Sequence, residues 1–183
     1  MPGMKNNRLA YMIRTGVLED AEAVLDVQNS VISEGEYFIA VSEEYNKTPE
    51  QQRDWIRRLL ENERETIIVA EMNDEVVGWI AFQSETRKRM FHKGSFGVMI
   101  RKNFRGMGIG KELIEALLDW AEANPLIEKV SLGVFSTNHR AISLYKRLGF
   151  IEEGRKIKEF KMSESEYVDD IIMYKLVKQT ERA

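Results

Sequence analysis

The feature that most restricts what this chain can become lies in its middle. An alternating apolar run from Lys93 to Ile100 leads into Arg105-Gly106-Met107-Gly108-Ile109-Gly110-Lys111, and a helix-periodic stretch follows to about Asn124. Ile109, Leu113, Ala116, Leu117 and Trp120 recur on one face of that predicted helix, and Pro125 helps to stop it. Val130, Leu132 and Val134 then alternate as a second strand. Strand, helix, strand in this order is a crossover unit, so the two strands should run parallel with a right-handed connection.

The flanking segments fit around that unit. Tyr11 to Arg14 reads as a short strand. Asp20 opens a helix carrying Ala21, Val24, Leu25, Gln28, Val31 and Ile32 at helical spacing and ending near Gly35. Thr48 is placed to cap a second helix with Pro49 in its first turn, which should carry Trp55, Ile56, Leu59 and Leu60 inward. Thr66–Met72 and Val76–Gln83, joined at Asn73-Asp74, read as an antiparallel hairpin. A helix after Val134 buries Ala141, Leu144, Tyr145 and Leu148 and ends at Gly149, and strands near Ile151–Lys161 and Asp169–Val177 close the chain. The expected fold class is α/β: one mixed sheet with helices on both sides, in the order β-α-α-β-β-β-α-β-α-β-β. The domain should span residues 11–178, with a flexible N-terminus at 1–10 and a tail at 179–183.

At 183 residues, 43% hydrophobic and 31% charged, one core of ordinary size is expected. No apolar segment approaches a membrane span, and none after the N-terminus has signal-peptide length, so the expectation is a cytoplasmic protein without a membrane partner. The absence of cysteine removes a cysteine nucleophile and a thiolate metal site. With only His92 and His139 to hand, no metal cofactor is expected. Net charge is −3 with basic residues dispersed, which gives no nucleic-acid footprint. The densest basic spot, Arg87-Lys88-Arg89, reads as a solvated loop.

A glycine-rich turn between a strand and a helix N-terminus presents backbone N–H groups and the positive end of a helix dipole, so phosphate is its natural guest. A P-loop is excluded because Arg105 stands where its first Gly belongs and Glu112 replaces its hydroxyl residue. A dinucleotide fingerprint from Gly106 and Gly108 would need Gly at Lys111. What fits is R-x-x-G-x-G, from Arg105 through Gly108 to Gly110. Downstream, Asn138-His139-Arg140-Ala141 and Leu144-Tyr145-Lys146-Arg147-Leu148-Gly149-Phe150 form an N-x-x-A-x-x-L-Y-x-R-x-G-F stretch. The two motifs together resemble the GNAT superfamily of acyl-CoA N-acyltransferases, over about Met12 to Val177.

That resemblance implies acetyl-CoA as cosubstrate and a primary amine as acceptor. Its pyrophosphate would lie on the backbone of Arg105, Gly106, Met107, Gly108, Ile109, Gly110 and Lys111. Its pantetheine would lie near Asn138 and along Val98, Met99 and Ile100, where the strand splays from its parallel neighbour and the backbone near Met99 and Ile100 could stabilise an oxyanion. Asn138 is equally an N-cap, and Tyr145 is equally a core aromatic. In the family the matching Tyr protonates the departing thiolate, a role suited to a phenol with pKa near 10. For the base the candidates are His92, Glu34, Glu36, Glu85 or a chain of water molecules. Glu34, Glu36, Tyr37 and His92 are the acceptor-side candidates, since the acidic segment Glu34 to Glu44 would attract a cation. The favoured acceptor is a small molecule or amino acid. The stretch from Glu153 to Asp170 also resembles ribosomal-protein N-terminal acetyltransferases, which keeps a polypeptide N-terminus open, as does a non-catalytic acyl-CoA sensor. A homodimer is compatible with all of these.

Overall fold

The computed structural model describes residues 11–178; the expected flexible N-terminus and the tail lie outside the described residues. Seven strands form one sheet: β1 (Tyr11–Thr15), β2 (Thr66–Met72), β3 (Glu75–Ser84), β4 (Lys93–Ile100), β5 (Lys129–Phe135), β6 (Ile151–Lys161) and β7 (Tyr167–Leu176). Their order across the sheet is β1-β2-β3-β4-β5-β7-β6, antiparallel throughout except for β4 and β5. The described residues also form four α-helices: α1 (Ala21–Ile32), α2 (Pro49–Glu61), α3 (Ile109–Ala123) and α4 (His139–Arg147).

Local chemistry accounts for most boundaries. The Thr48 hydroxyl accepts from the Gln51 amide while the Gln51 side chain accepts from the Thr48 amide, a capping box that fixes the start of α2 beside Pro49. The β2–β3 hairpin turns on Asn73 and Asp74, both at positive φ, which are residue types that tolerate the left-handed region of a two-residue turn.

Side-chain alternation along the strands feeds two cores. On one face Ile67, Val69, Trp79, Ala81 and Met99 pack beneath α1 and α2 with Val24, Val27, Ile56 and Leu59. On the other, Ile68, Ile80, Phe82, Phe96, Leu132 and Met173 pack against α3 and α4. The sheet is thus covered on both sides, as expected from its crossover. The inward set of α2 differs at one position: Leu60 is 39% exposed, while Gln52 is fully buried. With 3.6 residues per turn, Leu60 lies about 70° round from the centre of the stripe set by Gln52, Ile56 and Leu59, which turns it away from the sheet. On α4 Tyr145 alone is fully buried; Ala141, Leu144 and Leu148 pack half-buried against the same core.

β4 and β5 pair only at Lys93–Lys129, Gly94–Val130 and Ser95–Ser131. Beyond Ser95 they diverge, although β4 continues to Ile100 and β5 to Phe135. At about 3.3 Å per residue the unpaired part of β4 is roughly 16 Å long, and the backbone groups it aims at β5 have no strand partner. The sheet is therefore split by a wedge, closed at Lys93 and open toward Ile100.

Candidate functional site

The open end of the wedge is framed by the glycine turn. A single 3-10 turn at Lys102–Phe104 leaves β4, Arg105 is extended, and Gly106 and Gly108 take φ of +81° and +92° before α3 begins. Those two values lie where side chains are rarely tolerated. They let the chain reverse over a few residues, so that its amides converge at the start of a helix. None of the N–H groups from Gly106 to Lys111 meets an acceptor among the described residues, and Gly108 caps α3 with no side chain. The result is a set of unsatisfied donors at a positive helix end, a receptor for an anion. Ile109 is buried in the core and Met107 packs against it, while Lys111 points out to Glu115. A Cβ on Gly110 would stand 3.2 Å from Ile100, so α3 lies close on the end of β4.

Arg105 plays a different part from its backbone. Its Nε donates to the Ile100 carbonyl at 2.9 Å, and Nη1 and Nη2 donate to Glu34 Oε2 and Oε1, each at 2.7 Å. This bidentate pair, partly shielded from water, straps the segment after α1 to the end of β4. Glu34 thus has both carboxylate oxygens engaged by a guanidinium, and the structure gives it a bracing position rather than a free carboxylate.

Along the wedge, Val98 and Ile100 lean toward α3 and Met99 toward α1 and α2. Tyr145 is 7% exposed, with its ring edge-on to Phe96 at 5.9 Å, where β4 parts from β5. Burial pushes its phenol up to about 12, so the hydroxyl holds its proton throughout the neutral range. Asn138 Oδ1 accepts from the Ala141 amide at 3.2 Å, realising the N-cap, and it stands at the open end where β5 gives way to α4.

Glu36 and Tyr37 are exposed on the segment after α1. His92 and Glu85 do not join this group. His92 is exposed and precedes β4, its carbonyl accepting from the Glu128 and Lys129 amides, while the Glu85 amide donates to Lys93. Both therefore lie at the closed end; His92 is about 10 Å along the strand from where pairing stops. A concavity of about 730 Å³ between α2 and the β2–β3 side also opens there, lined by Trp55, Arg64 and Thr86, and contains none of the predicted site residues. Arg87, Lys88 and Arg89 are exposed, as a solvated loop requires.

One residue escaped the sequence reading. Arg140, in the first turn of α4, has its Nη2 3.6 Å from where a Gly106 side chain would begin, which puts an exposed cation over the glycine turn. The available signal was its place two residues after Asn138.

Comparison with known proteins bears on this arrangement. Residues 32–150 match the model of the Acetyltransferase (GNAT) family. The chain is 28% identical to L-amino acid N-acetyltransferase AaaT of Escherichia coli (strain K12), over 65% of this chain and 73% of that protein. It is 25% identical to spermidine N(1)-acetyltransferase of Vibrio cholerae serotype O1, over 64% of this chain and 67% of that protein. In fold it resembles yncA from Salmonella typhimurium, solved with its cofactor acetyl-CoA, with a TM-score of 0.84 at 18% identity over 94% of this chain and 97% of that one.

Proposed function

Because the chain belongs to the GNAT family of acetyltransferases, we propose that it moves the acetyl group of acetyl-CoA onto the primary amine of a small molecule, an amino acid first among them. The observation that carries this reading is the wedge itself: a β4 edge without a strand partner beyond Ser95, ending in a turn of unsatisfied amides. Such an edge offers main-chain hydrogen bonds to an extended amide-bearing arm, and the turn offers them to a pyrophosphate. Both suit the shape of CoA.

In this scheme the amides of Gly106 to Lys111 hold the diphosphate, and the Ile100 N–H, beside Met99 on the β4 edge that β5 leaves unpaired, meets the thioester carbonyl as charge develops on its oxygen. Tyr145 donates its proton to the departing sulfur. A phenol held up near 12 carries its proton at the pH of reaction, and it can pass that proton to the sulfur as the amine's own proton replaces it. Transfer is direct, since the chain has no cysteine to carry an acyl group.

The amino-acid acceptor is supported by the relation to the E. coli enzyme. The relation to the spermidine enzyme makes a polyamine the second reading, which the exposed carboxylates of Glu36, Glu43 and Glu44 also suit. A peptide N-terminus is the third. Incubation with acetyl-CoA and equal concentrations of L-amino acids, spermidine and short peptides, following free thiol, separates them. Release with peptides alone overturns the small-molecule reading, and release with none overturns transfer.

A further inference from the structure

The face of the wedge opposite Tyr145 is floored by glycine. Continuing the register from Ser95–Ser131 sets Gly97 opposite Gly133 just past the point where the strands part. Both are exposed, and a Cβ on Gly97 would meet nothing within 4 Å. Over Gly133 lies a carboxylate. A Cβ there would stand 2.9 Å from Asp170 Oδ1, so the missing side chain is what allows Asp170, on β7 opposite Phe135, to lie across β5 toward the mouth.

Asp170 is 8% exposed. Phe135 flanks it, itself stacked on Phe160 at 4.3 Å, and the backbone of Val134 lies close enough to favour its charged form. Among the described residues the charged groups that reach it, Lys156 and Glu159, are both on β6. Lys156 Nζ is 3.8 Å away but is shared with Glu159 at 3.4 Å, and Glu159 itself repels the charge. A buried carboxylate with half a counter-ion is expensive unless something else supplies positive charge.

We propose that Asp170 receives the acceptor amine, its carboxylate binding the ammonium at the mouth between Gly97 and Gly133 and taking the proton that must leave before attack. This rests on the acetyltransfer reading above and assigns the group that reading left open. Burial raises the carboxyl above its ordinary range, and although Lys156 and the Val134 backbone draw it back, it stays raised; that is the direction a base working near neutrality needs. The step balances. Asp170 accepts one proton from R–NH3+, and the nitrogen lone pair forms the C–N bond to the thioester carbonyl. The C–S bond then breaks, the sulfur takes the Tyr145 proton, and the second nitrogen proton restores the phenol. Products are the N-acetylamine and CoA thiol, with one proton left on Asp170. Acid and base thus stand on opposite faces of the split sheet.

The test is Asp170→Asn, close in size and without the charge, beside Lys156→Met. Acetyl-CoA affinity is measured by calorimetry, transfer to the best amine of the panel above as a function of pH, and binding of that amine to the CoA complex by calorimetry. Asp170→Asn should leave acetyl-CoA affinity within twofold, weaken amine binding at least tenfold, lower kcat/KM by about 100-fold and abolish the acid-side limb of the profile. Lys156→Met should move that limb to higher pH by removing the cation that holds the carboxyl down. An Asp170→Asn protein that keeps kcat/KM within threefold and an unmoved limb overturns the assignment, and if that variant fails to fold, a Lys156→Met limb that stays in place overturns it alone. A parent that binds acetyl-CoA yet acetylates no amine is a different failure, that of the transfer reading.

Discussion

The two sides of the split sheet are built from different materials. On the α3 and α4 side the part of the candidate site suited to the cosubstrate's phosphates is backbone: a turn with two glycines at positive φ, a helix start and an unpaired strand edge, all within one stretch of chain. On the opposite side it is side chains gathered from afar, with Glu34 from the end of α1 strapped to Arg105 and Asp170 of β7 laid over Gly133 of β5. Backbone groups bind what all substrates of a family share, because any sequence that makes the turn presents them. Side chains are free to change without undoing the turn, so the second face is where one member can differ from another.

The sharpest way to break that contrast is Gly108→Glu. At φ +92° any side chain is strained, and a carboxylate would face an incoming phosphate where the amides converge. Acetyl-CoA binding should fall by more than 100-fold in calorimetry while the fold persists. Binding equal to the parent would show that the turn is not the phosphate site.

Next in size is Tyr145→Phe. The ring and its packing on Phe96 and Phe150 survive, so acetyl-CoA affinity should hold within twofold while kcat drops about 100-fold. Since burial pushes the phenol up to about 12, the parent's rate should show no loss attributable to Tyr145 ionisation below about pH 11. An alkaline fall near pH 9 that vanishes in the Phe variant would contradict this.

What was legible in advance follows the same division. The β4 limits, the Thr48 cap of α2, the Asn73-Asp74 turn and the glycine loop were all readable because each is decided by neighbours in sequence. Leu60 was misplaced because the width of a helix's buried stripe depends on what it packs against, and the fully buried Gln52 shares that stripe. The Arg105–Glu34 pair spans 71 positions, and nothing in either local sequence announces it. Glu34 and His92 were both acceptor-side candidates, yet one is clamped by a guanidinium and the other sits at the closed end. Asp170 was passed over for the same reason: its place is set by its cross-strand neighbour Phe135 and by the room that Gly133 leaves, neither of them adjacent to it in sequence.

The strap between the two faces gives the third test. Arg105→Lys keeps the charge but loses the fork that grips both Glu34 oxygens and the Ile100 carbonyl. Loss of a part-buried bidentate pair should cost about 1–2 kcal/mol of stability in denaturant unfolding. If the pair mainly positions the acceptor wall, KM for the amine should rise several-fold with acetyl-CoA affinity nearly unchanged. A variant in which acetyl-CoA affinity falls as far as in Gly108→Glu would make Arg105 a phosphate ligand and erase the distinction between its backbone and its side chain.

The smallest effect belongs to Arg140→Ala, and it measures how completely the phosphate site is backbone. Arg140 is exposed, with its guanidinium tip 3.6 Å from where a Gly106 side chain would begin, close enough to meet a diphosphate seated on the turn. An exposed cation in water contributes little, because solvent and salt screen it and its long side chain loses freedom when it engages. The expected loss in acetyl-CoA affinity is therefore about three- to tenfold at low salt, shrinking toward nothing near 0.5 M salt as screening overtakes the contact. The amides of the turn are fixed in place and lose no such freedom, so the affinity that survives in Arg140→Ala at high salt is theirs. If this substitution weakened binding more than Gly108→Glu, the order of contributions would invert, and a side chain rather than the glycine turn would be the main phosphate grip.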